Sequence, residues 1–170
     1  AWLLDLWRST VDKKDMVYLL GDLTFFKSED VRHLQEKLPG ANISYPATMT
    51  ALGKAYSNYF QTTAQILDLT VRPSMCSRLT DNMVLNLCHY PLLTWNRKPH
   101  GSCSMTEHCH GKLDEYNRQS PEVDVGIDGE LFRRCGGFIS VEAMYEAAME
   151  KTKGEPFAQH ARQDYLPEYR

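Results

Sequence analysis

The sequence predicts a single compact domain of the α/β class, and three patterns along the chain indicate it. The opening WLLDLWRS places its apolar residues at helical spacing, which predicts an amphipathic helix. DMVYLL, QILDLTV and NMVLNLCHY are short apolar runs of the kind that form buried strands. The chain has 170 residues, of which 42% are hydrophobic, so it can bury one sizeable core but is short for two full domains.

Further elements follow in an alternating order. Ser28 is placed to cap a helix that Pro39 and Gly40 end, and Ser140 begins a helix with apolar residues at helical spacing. PEVDVGID, between these two helices, looks like another strand. The segment 96–111 has little periodicity and many Gly, Ser, His and Cys residues, which predicts a loop. Helices and strands that alternate along the chain favour a mixed α/β fold.

The composition excludes several classes of protein. A formal net charge of −3 supplies no basic field that would drive strong binding to nucleic acid or to an anionic membrane. No apolar run approaches the roughly 18 residues that cross a bilayer, and the first residues lack a basic secretory leader, so we expect a cytoplasmic protein without a membrane partner. Five cysteines at irregular spacing do not form a disulfide framework, and we expect reduced thiols.

Residues capable of binding metal follow the predicted strands. Asp22 comes after DMVYLLG, His89 follows VLNLC, and His108 and His110 lie in the segment before PEVDVGID. Ligands in α/β folds bind at strand ends, and imidazole and carboxylate are the groups that hold Zn, Mn or Fe. Taken singly, each residue also has an ordinary structural explanation as a turn residue or as a partner for a backbone carbonyl. Their occurrence together favours a metal site.

Three stretches that contain these residues follow one another in a specific order: VYLLGDL, NLCHYPLLTWN and EHCHGKLD, the last followed by VDVGIDG. In this order the chain resembles the calcineurin-like metallophosphoesterase superfamily, and in particular its small bacterial and phage phosphoesterases. The resemblance implies a β-sandwich flanked by helices over residues 1–154, followed by a polar tail at 155–170. It also implies two metal ions bridged by an aspartate and a hydroxide.

The resemblance assigns a role to each candidate ligand. It makes Asp22 the bridging carboxylate and the central catalytic residue, His89 and His108 ligands of one metal, and His110 a ligand of the other. The implied cofactor is one or two divalent ions, Mn, Zn or Fe. The implied reaction is hydrolysis of a phosphoester bond by metal-bound hydroxide, on a phosphorylated small molecule or a phosphodiester.

The sequence also departs from the family pattern in ways that bear on activity. The opening resembles the helix that follows the family's first strand, so we expect that strand and its Asp-x-His motif to be missing. Where the family has Gly-Asn-His-Asp, this chain has ATMT, with Thr48 and Met49 at the ligand and acid positions. Met49 cannot transfer a proton, so we expect impaired activity. Glu107 replaces a glycine, and we expect it to face solvent, with an inward contact to a metal as the alternative.

Two other function classes stay open. One is a catalytically degenerate relative that binds metal or a partner without hydrolysis. The other is a structural zinc site, for which the sequence offers Cys103, His108, Cys109 and His110. Their spacing matches no paired Cys-x-x-Cys knuckle, which makes the structural site the third choice.

The segment before the histidines contains three further basic residues, Arg97, Lys98 and His100. Such groups can bind a phosphate, but a solvated loop face is the expectation for all three. Trp95 and Tyr90 are expected to close the core rather than to stack on a nucleobase.

Overall fold

The computed structural model describes residues 2–21, 33, 36–38, 42–46, 62–112 and 120–151, without side chains for 42–46, 62 and 63. Several predicted features lie outside the described residues: Asp22, both ends of the helix predicted from Ser28 to Pro39 and Gly40, positions 47–50, and the tail at 155–170. The described part is a mixed α/β structure, which confirms the predicted class. The chain divides into two compact units, Ala1–Ile66 and Leu67–Arg170.

The first unit contains one helix and a three-stranded sheet. The helix α1 spans Trp2–Thr10, and the strands are β1 Met16–Tyr18, β2 Asn42–Pro46 and β3 Thr62–Ala64. All neighbours in the order β1-β2-β3 are parallel. The predicted first helix and the strand within DMVYLL are confirmed. The strands β2 and β3 carry little apolar periodicity and were not predicted.

The second sheet has four strands in the order β4-β5-β6-β7. These strands are β4 Ile66–Val71, β5 Met83–Cys88, β6 Cys103–Thr106 and β7 Glu122–Asp124. β5 is parallel to β6, and β6 is parallel to β7. The runs QILDLTV, NMVLNLCHY and PEVDVGID therefore contain strands as predicted, although the last strand is only three residues long.

Two helices follow this sheet. The short helix α2, Glu130–Cys135, was not predicted; it ends at Gly136, whose φ of +70° suits a residue without a Cβ. The helix α3 spans Val141–Lys151, and the amide of Ala143 donates to Ser140 Oγ over 3.2 Å, so the predicted start is confirmed. None of the helices in the described ranges has the length and apolar composition needed to cross a bilayer.

The prediction of a loop over 96–111 is wrong in its centre, because β6 lies there. All four residues of β6 are buried, and the strand pairs with a neighbour on each side. A short 3-10 helix, Lys98–His100, precedes it. β6 was missed because three of its four residues are small or polar side chains that carry no apolar alternation.

The two faces of the second sheet differ in chemistry. Leu87, Met105 and Val123 pair across β5, β6 and β7 and form an apolar row on one face. On the opposite face a polar row crosses the same strands at Asn86, Ser104 and Glu122, and all three are buried.

An aspartate on β4 connects this sheet to the segment that precedes β6. Asp68 accepts a hydrogen bond from Asn86 Nδ2 at 2.8 Å with one carboxylate oxygen. Its other oxygen accepts from Asn96 Nδ2 at 2.7 Å. The carboxylate therefore links β4, β5 and the chain that leads into β6.

Candidate functional site

Three strand ends of the second sheet carry the candidate residues. His89 follows the last residue of β5, Glu107 follows the last residue of β6, and β7 ends at Asp124. Parallel strands direct their carboxyl ends to the same edge of a sheet, where α/β folds bind ligands. We call residues 107–111, which include both predicted histidines of the EHCHG stretch, the histidine loop.

The backbone joins the histidine loop to the end of β5. The carbonyl oxygen of His89 accepts two hydrogen bonds, from the amide of Glu107 at 3.2 Å and from the amide of His108 at 3.1 Å. Two donors on one carbonyl fix the start of the loop against the end of β5. The position of His108 relative to His89 is therefore set by main-chain contacts before the side chains are considered.

The side chains of His89 and His108 also meet. His89 Nε2 lies 3.0 Å from His108 Nδ1, and the two rings are nearly perpendicular, with centroids 4.8 Å apart at 70°. The ring of Tyr90 packs edge-on against both, at 4.6 Å from His89 and 4.4 Å from His108. Residues 19 positions apart in the sequence thus form one aromatic cluster.

The distance between these nitrogens fits a shared cation as well as a hydrogen bond. Histidine nitrogens bind zinc at about 2.0–2.1 Å. With bonds of that length, two of them lie about 2.9 Å apart at the right angle of an octahedral ion and about 3.3–3.4 Å apart at the tetrahedral angle that zinc prefers. The separation of His89 Nε2 and His108 Nδ1 is 3.0 Å. These two imidazoles therefore provide donor atoms of the right type at a spacing close to that around one octahedral divalent ion.

Glu107 does not face solvent, so the surface expectation for it is wrong. Its side chain is 16% exposed, and Oε1 lies 3.0 Å from Nδ1 of His89, whose side chain is 4% exposed. Glu107 does not have a positive φ, since within the described ranges the non-glycine residues with positive φ are Arg97 and His110. Its backbone conformation therefore does not require a glycine. No pattern in the sequence signalled this contact, because it depends on the pairing of β5 with β6.

His110 has a different carboxylate partner. Its Nδ1 lies 2.6 Å and 2.7 Å from the two carboxylate oxygens of Asp128, in the turn after β7. The hydrogen bond to Asp128 raises the pKa of His110, and the same bond lowers the pKa of Asp128. Both side chains are about half exposed. Asp128 was not predicted as a site residue, although it lies in the VDVGIDG run that follows the histidines.

Asp124 holds the end of the histidine loop. One carboxylate oxygen accepts from the amide of Gly111 at 2.6 Å, and the other accepts from the amide of Gly126 at 2.9 Å. A Cβ on Gly126 would lie 3.0 Å from Asp124 Oδ1 and 3.3 Å from the carbonyl oxygen of Glu107. The loop and the turn after β7 are thus packed too closely for a side chain at position 126.

The described residues supply only part of a metal site. Within ranges 2–21, 62–112 and 120–151 and the shorter described pieces, no three His, Cys, Asp or Glu side chains are placed to hold one ion. Asp22 lies outside these ranges, so its predicted role as a ligand stays a prediction. His89 and His108 provide two donors, and further ligands would have to come from water or from residues outside the described part.

The cysteines do not assemble a zinc site within the described residues. All five are free thiols. Cys103 is fully buried in β6, and burial raises the pKa of its thiol. Cys109 is partly exposed, and its pKa is raised first by burial and then by the nearby charges of Asp124 and Glu122. Neutral thiols are poor ligands, which does not favour the structural zinc alternative.

The basic residues before β6 differ from one another. Lys98 is buried, where a solvated face was expected; its Nζ donates to the carbonyl of Leu93 at 3.0 Å and lies 4.5 Å from the centre of the Trp95 ring. Arg97 and His100 are exposed as expected. Trp95 is buried and closes the core as expected, and its Nε1 donates to the carbonyl of Ser102. The same expectation is wrong for Tyr90, whose side chain is exposed beside the two histidines.

Comparison of the chain with protein-family models, with curated proteins and with solved structures finds no match.

Proposed function

We propose that this chain binds a divalent metal ion through His89 and His108 and uses it for phosphoester hydrolysis of the calcineurin-like metallophosphoesterase type. The observation that carries the proposal is the 3.0 Å separation of His89 Nε2 and His108 Nδ1 at adjacent strand ends. These are the two histidines that the NLCHYPLLTWN and EHCHGKLD motifs assign to one metal. The finer fold, a helix-flanked β-sandwich without the family's first strand, belongs to the same proposal and is supported by the presence of two β-sheets.

The ion has a defined part in this proposal. A bound Zn, Mn or Fe ion would polarise a phosphoryl oxygen and lower the pKa of water for attack on phosphorus. His89 and His108 hold the ion as neutral imidazoles. The substrate is a phosphorylated small molecule or a phosphodiester. The roles of Asp22 as a bridging ligand and of His110 as a ligand of a second ion rest on the resemblance.

A metal-binding relative without hydrolysis is the second candidate. It is favoured by the sequence at positions 48 and 49, where Thr48 and Met49 replace the family's asparagine ligand and histidine acid. Loss of a positioned proton donor typically costs about 10²–10⁴-fold in rate. The two candidates share the ion at His89 and His108 and differ in turnover.

Metal analysis and binding calorimetry on the purified chain test the proposal. We expect one or two ions of Zn or Mn per chain, and a loss of affinity of at least about tenfold in His89→Ala and in His108→Ala. His33→Ala is the matched control, because its side chain is 59% exposed. Absence of binding by the unmodified chain, or equal binding by all three variants, would overturn the proposal.

Turnover distinguishes the two candidates. The substrate is bis(p-nitrophenyl) phosphate, with manganese supplied. Hydrolysis that His89→Ala abolishes supports the phosphoesterase, and binding without hydrolysis supports the degenerate relative. Asp22→Asn, with the exposed Asp5→Asn as its control, tests the ligand that only the resemblance supplies.

A further inference from the structure

A histidine can hold a metal only through a ring nitrogen that carries no proton, so the position of the proton on His89 decides whether Nε2 is available. Glu107 Oε1 lies 3.0 Å from the other nitrogen, Nδ1, and both side chains are largely buried. Nε2 lies 3.0 Å from His108 Nδ1. His89 therefore has a carboxylate beside one nitrogen and a second imidazole beside the other.

This arrangement fixes the proton positions. Glu107 Oε1 and His89 Nδ1 are 3.0 Å apart but are not aligned as a hydrogen bond, so the effect of Glu107 on His89 is electrostatic. The negative charge of an ionised carboxylate repels a lone pair on Nδ1, so it favours the proton of a neutral His89 on that nitrogen. The lone pair of Nε2 then faces His108. In the metal-free protein His108 Nδ1 must carry the proton between the two rings, since one of the two facing nitrogens has to be the donor. One carboxylate thus determines the tautomers of two histidines.

We infer that Glu107 is a positioning residue for His89: its carboxylate holds the proton on Nδ1 and leaves Nε2 directed at the position shared with His108. The tautomer itself does not depend on a metal. Its consequence for metal affinity rests on the proposed function, because a carboxylate on the outer nitrogen of a metal-binding histidine fixes the ring and raises its basicity.

The chain repeats the arrangement at a second histidine in an exposed setting. His110 Nδ1 lies 2.6 Å from Asp128 Oδ1, which leaves its Nε2 free of that carboxylate. The two pairs differ in exposure, since Glu107 and His89 are 16% and 4% exposed and Asp128 and His110 are 57% and 45% exposed. Water competes less with a buried contact, so we expect Glu107 to control its histidine more strongly than Asp128 does.

Nitrogen-15 NMR of the histidine rings in the metal-free chain tests the tautomer. The spectra are recorded about two pH units above the ordinary histidine pKa of about 6.5, so that neutral rings are observed. Signals of His89 are assigned by their loss in His89→Ala. We expect the proton of His89 on Nδ1 in the unmodified chain and a larger share on Nε2 in Glu107→Gln, whose amide can accept or donate. Glu130→Gln, an exposed residue of α2, should match the unmodified chain.

Two results would overturn the inference: a proton on Nε2 in the unmodified chain, or the same tautomer populations in Glu107→Gln as in that chain. The first result does not depend on Glu107→Gln, so it decides the matter even where that variant does not fold.

Metal affinity separates this inference from the proposed function. We expect Glu107→Gln to bind Zn about 10–100-fold more weakly than the unmodified chain and Glu130→Gln to bind equally well. Equal affinity in Glu107→Gln, with binding lost in His89→Ala, would leave the proposed function standing and remove the role of Glu107 in metal binding. No Zn binding by the unmodified chain would remove the proposed function, and the NMR result alone would then decide the role of Glu107.

Discussion

His108 contacts His89 through both its backbone and its ring. The amide of His108 donates to the carbonyl of His89 over 3.1 Å, and the nitrogens of the two rings lie 3.0 Å apart. The main-chain contact does not depend on either side chain. Replacement of one histidine by alanine should therefore leave the other in place, which makes the single variants suitable for the experiments below.

Metal should stabilise the native chain. An ion that binds the native state but not the unfolded chain adds about 2.7 kcal/mol when its concentration is 100-fold above Kd. We expect Zn to raise Tm, EDTA to reverse the rise, and His89→Ala to lose most of it, in a fluorescence-monitored melt. His33→Ala should respond like the unmodified chain. A full response in His89→Ala would mean that the ion binds elsewhere, and Cys109→Ser would be the next variant to measure.

The carboxylate of Asp124 should stabilise the histidine loop. Asp124→Ala removes the acceptor of two backbone amides, those of Gly111 and Gly126. An unsatisfied, partly buried donor costs about 1–3 kcal/mol, so we expect a loss of that order in the free energy of unfolding. Urea denaturation measures it, with the exposed Asp81→Ala as the control. Equal stability of the two variants would contradict the role given to Asp124.

Lys98 should contribute to stability, because this lysine in the 3-10 helix before β6 is buried. Lys98→Met keeps much of the aliphatic length but removes the hydrogen bond to the carbonyl of Leu93 and the contact with the Trp95 ring. We expect a loss of about 1–3 kcal/mol in the free energy of unfolding, since a charged donor contributes more than a neutral one. The exposed Lys112→Met should cost far less in the same urea titration. Similar losses in both variants would show that Lys98 is solvated in solution.

The thiols should react in order of exposure. Cys135 is exposed, Cys109 is partly exposed, and the other three cysteines are buried. Burial also raises the pKa of Cys103, which keeps its thiol neutral and unreactive at neutral pH. With a chromogenic disulfide reagent we expect Cys135 to react first and Cys109 more slowly, with the remaining thiols reacting only in denaturant. Cys135→Ser should remove the fast phase; its persistence would contradict the described burial.

Tyr18 should make stability fall at alkaline pH. Burial raises the pKa of its phenol above the ordinary value of 10.0, so the native state holds the proton more tightly than the unfolded chain does. The stabilisation is complete below the unfolded pKa and is lost as pH rises through the folded pKa. Tyr18→Phe has no phenol to ionise and lacks this loss. At pH values above about 10, its free energy of unfolding in urea titrations should therefore increase relative to that of the unmodified chain. A constant difference across that range would show that Tyr18 ionises normally.

The elements that the sequence predicted are those whose own residues carry a strong local pattern. α1 and β5 are rich in apolar residues at helical or strand spacing. The strand Cys103–Thr106 has no such pattern. It forms a strand because it pairs with β5 on one side and β7 on the other.

The same distinction holds for the candidate site. His89 and His108 were predicted because each follows an apolar run or belongs to a short motif. The inward side chain of Glu107 depends on which strand pairs with which, and the contact of Asp128 with His110 depends on a turn 18 residues away. Long-range contacts of this kind are not encoded in any local window of a single sequence.

The opposed polar and apolar rows on the second sheet determine how accurately β5 and β6 must align. A slip of one residue between them would place Asn86 among apolar side chains and Leu87 among polar ones, so this wrong alignment is penalised on both faces at once. The same slip would shift His108 along β5 by about 3.3 Å, the rise of one strand residue, and would carry its ring nitrogen away from His89. The alignment that separates the two rows is therefore also the alignment that forms the histidine pair.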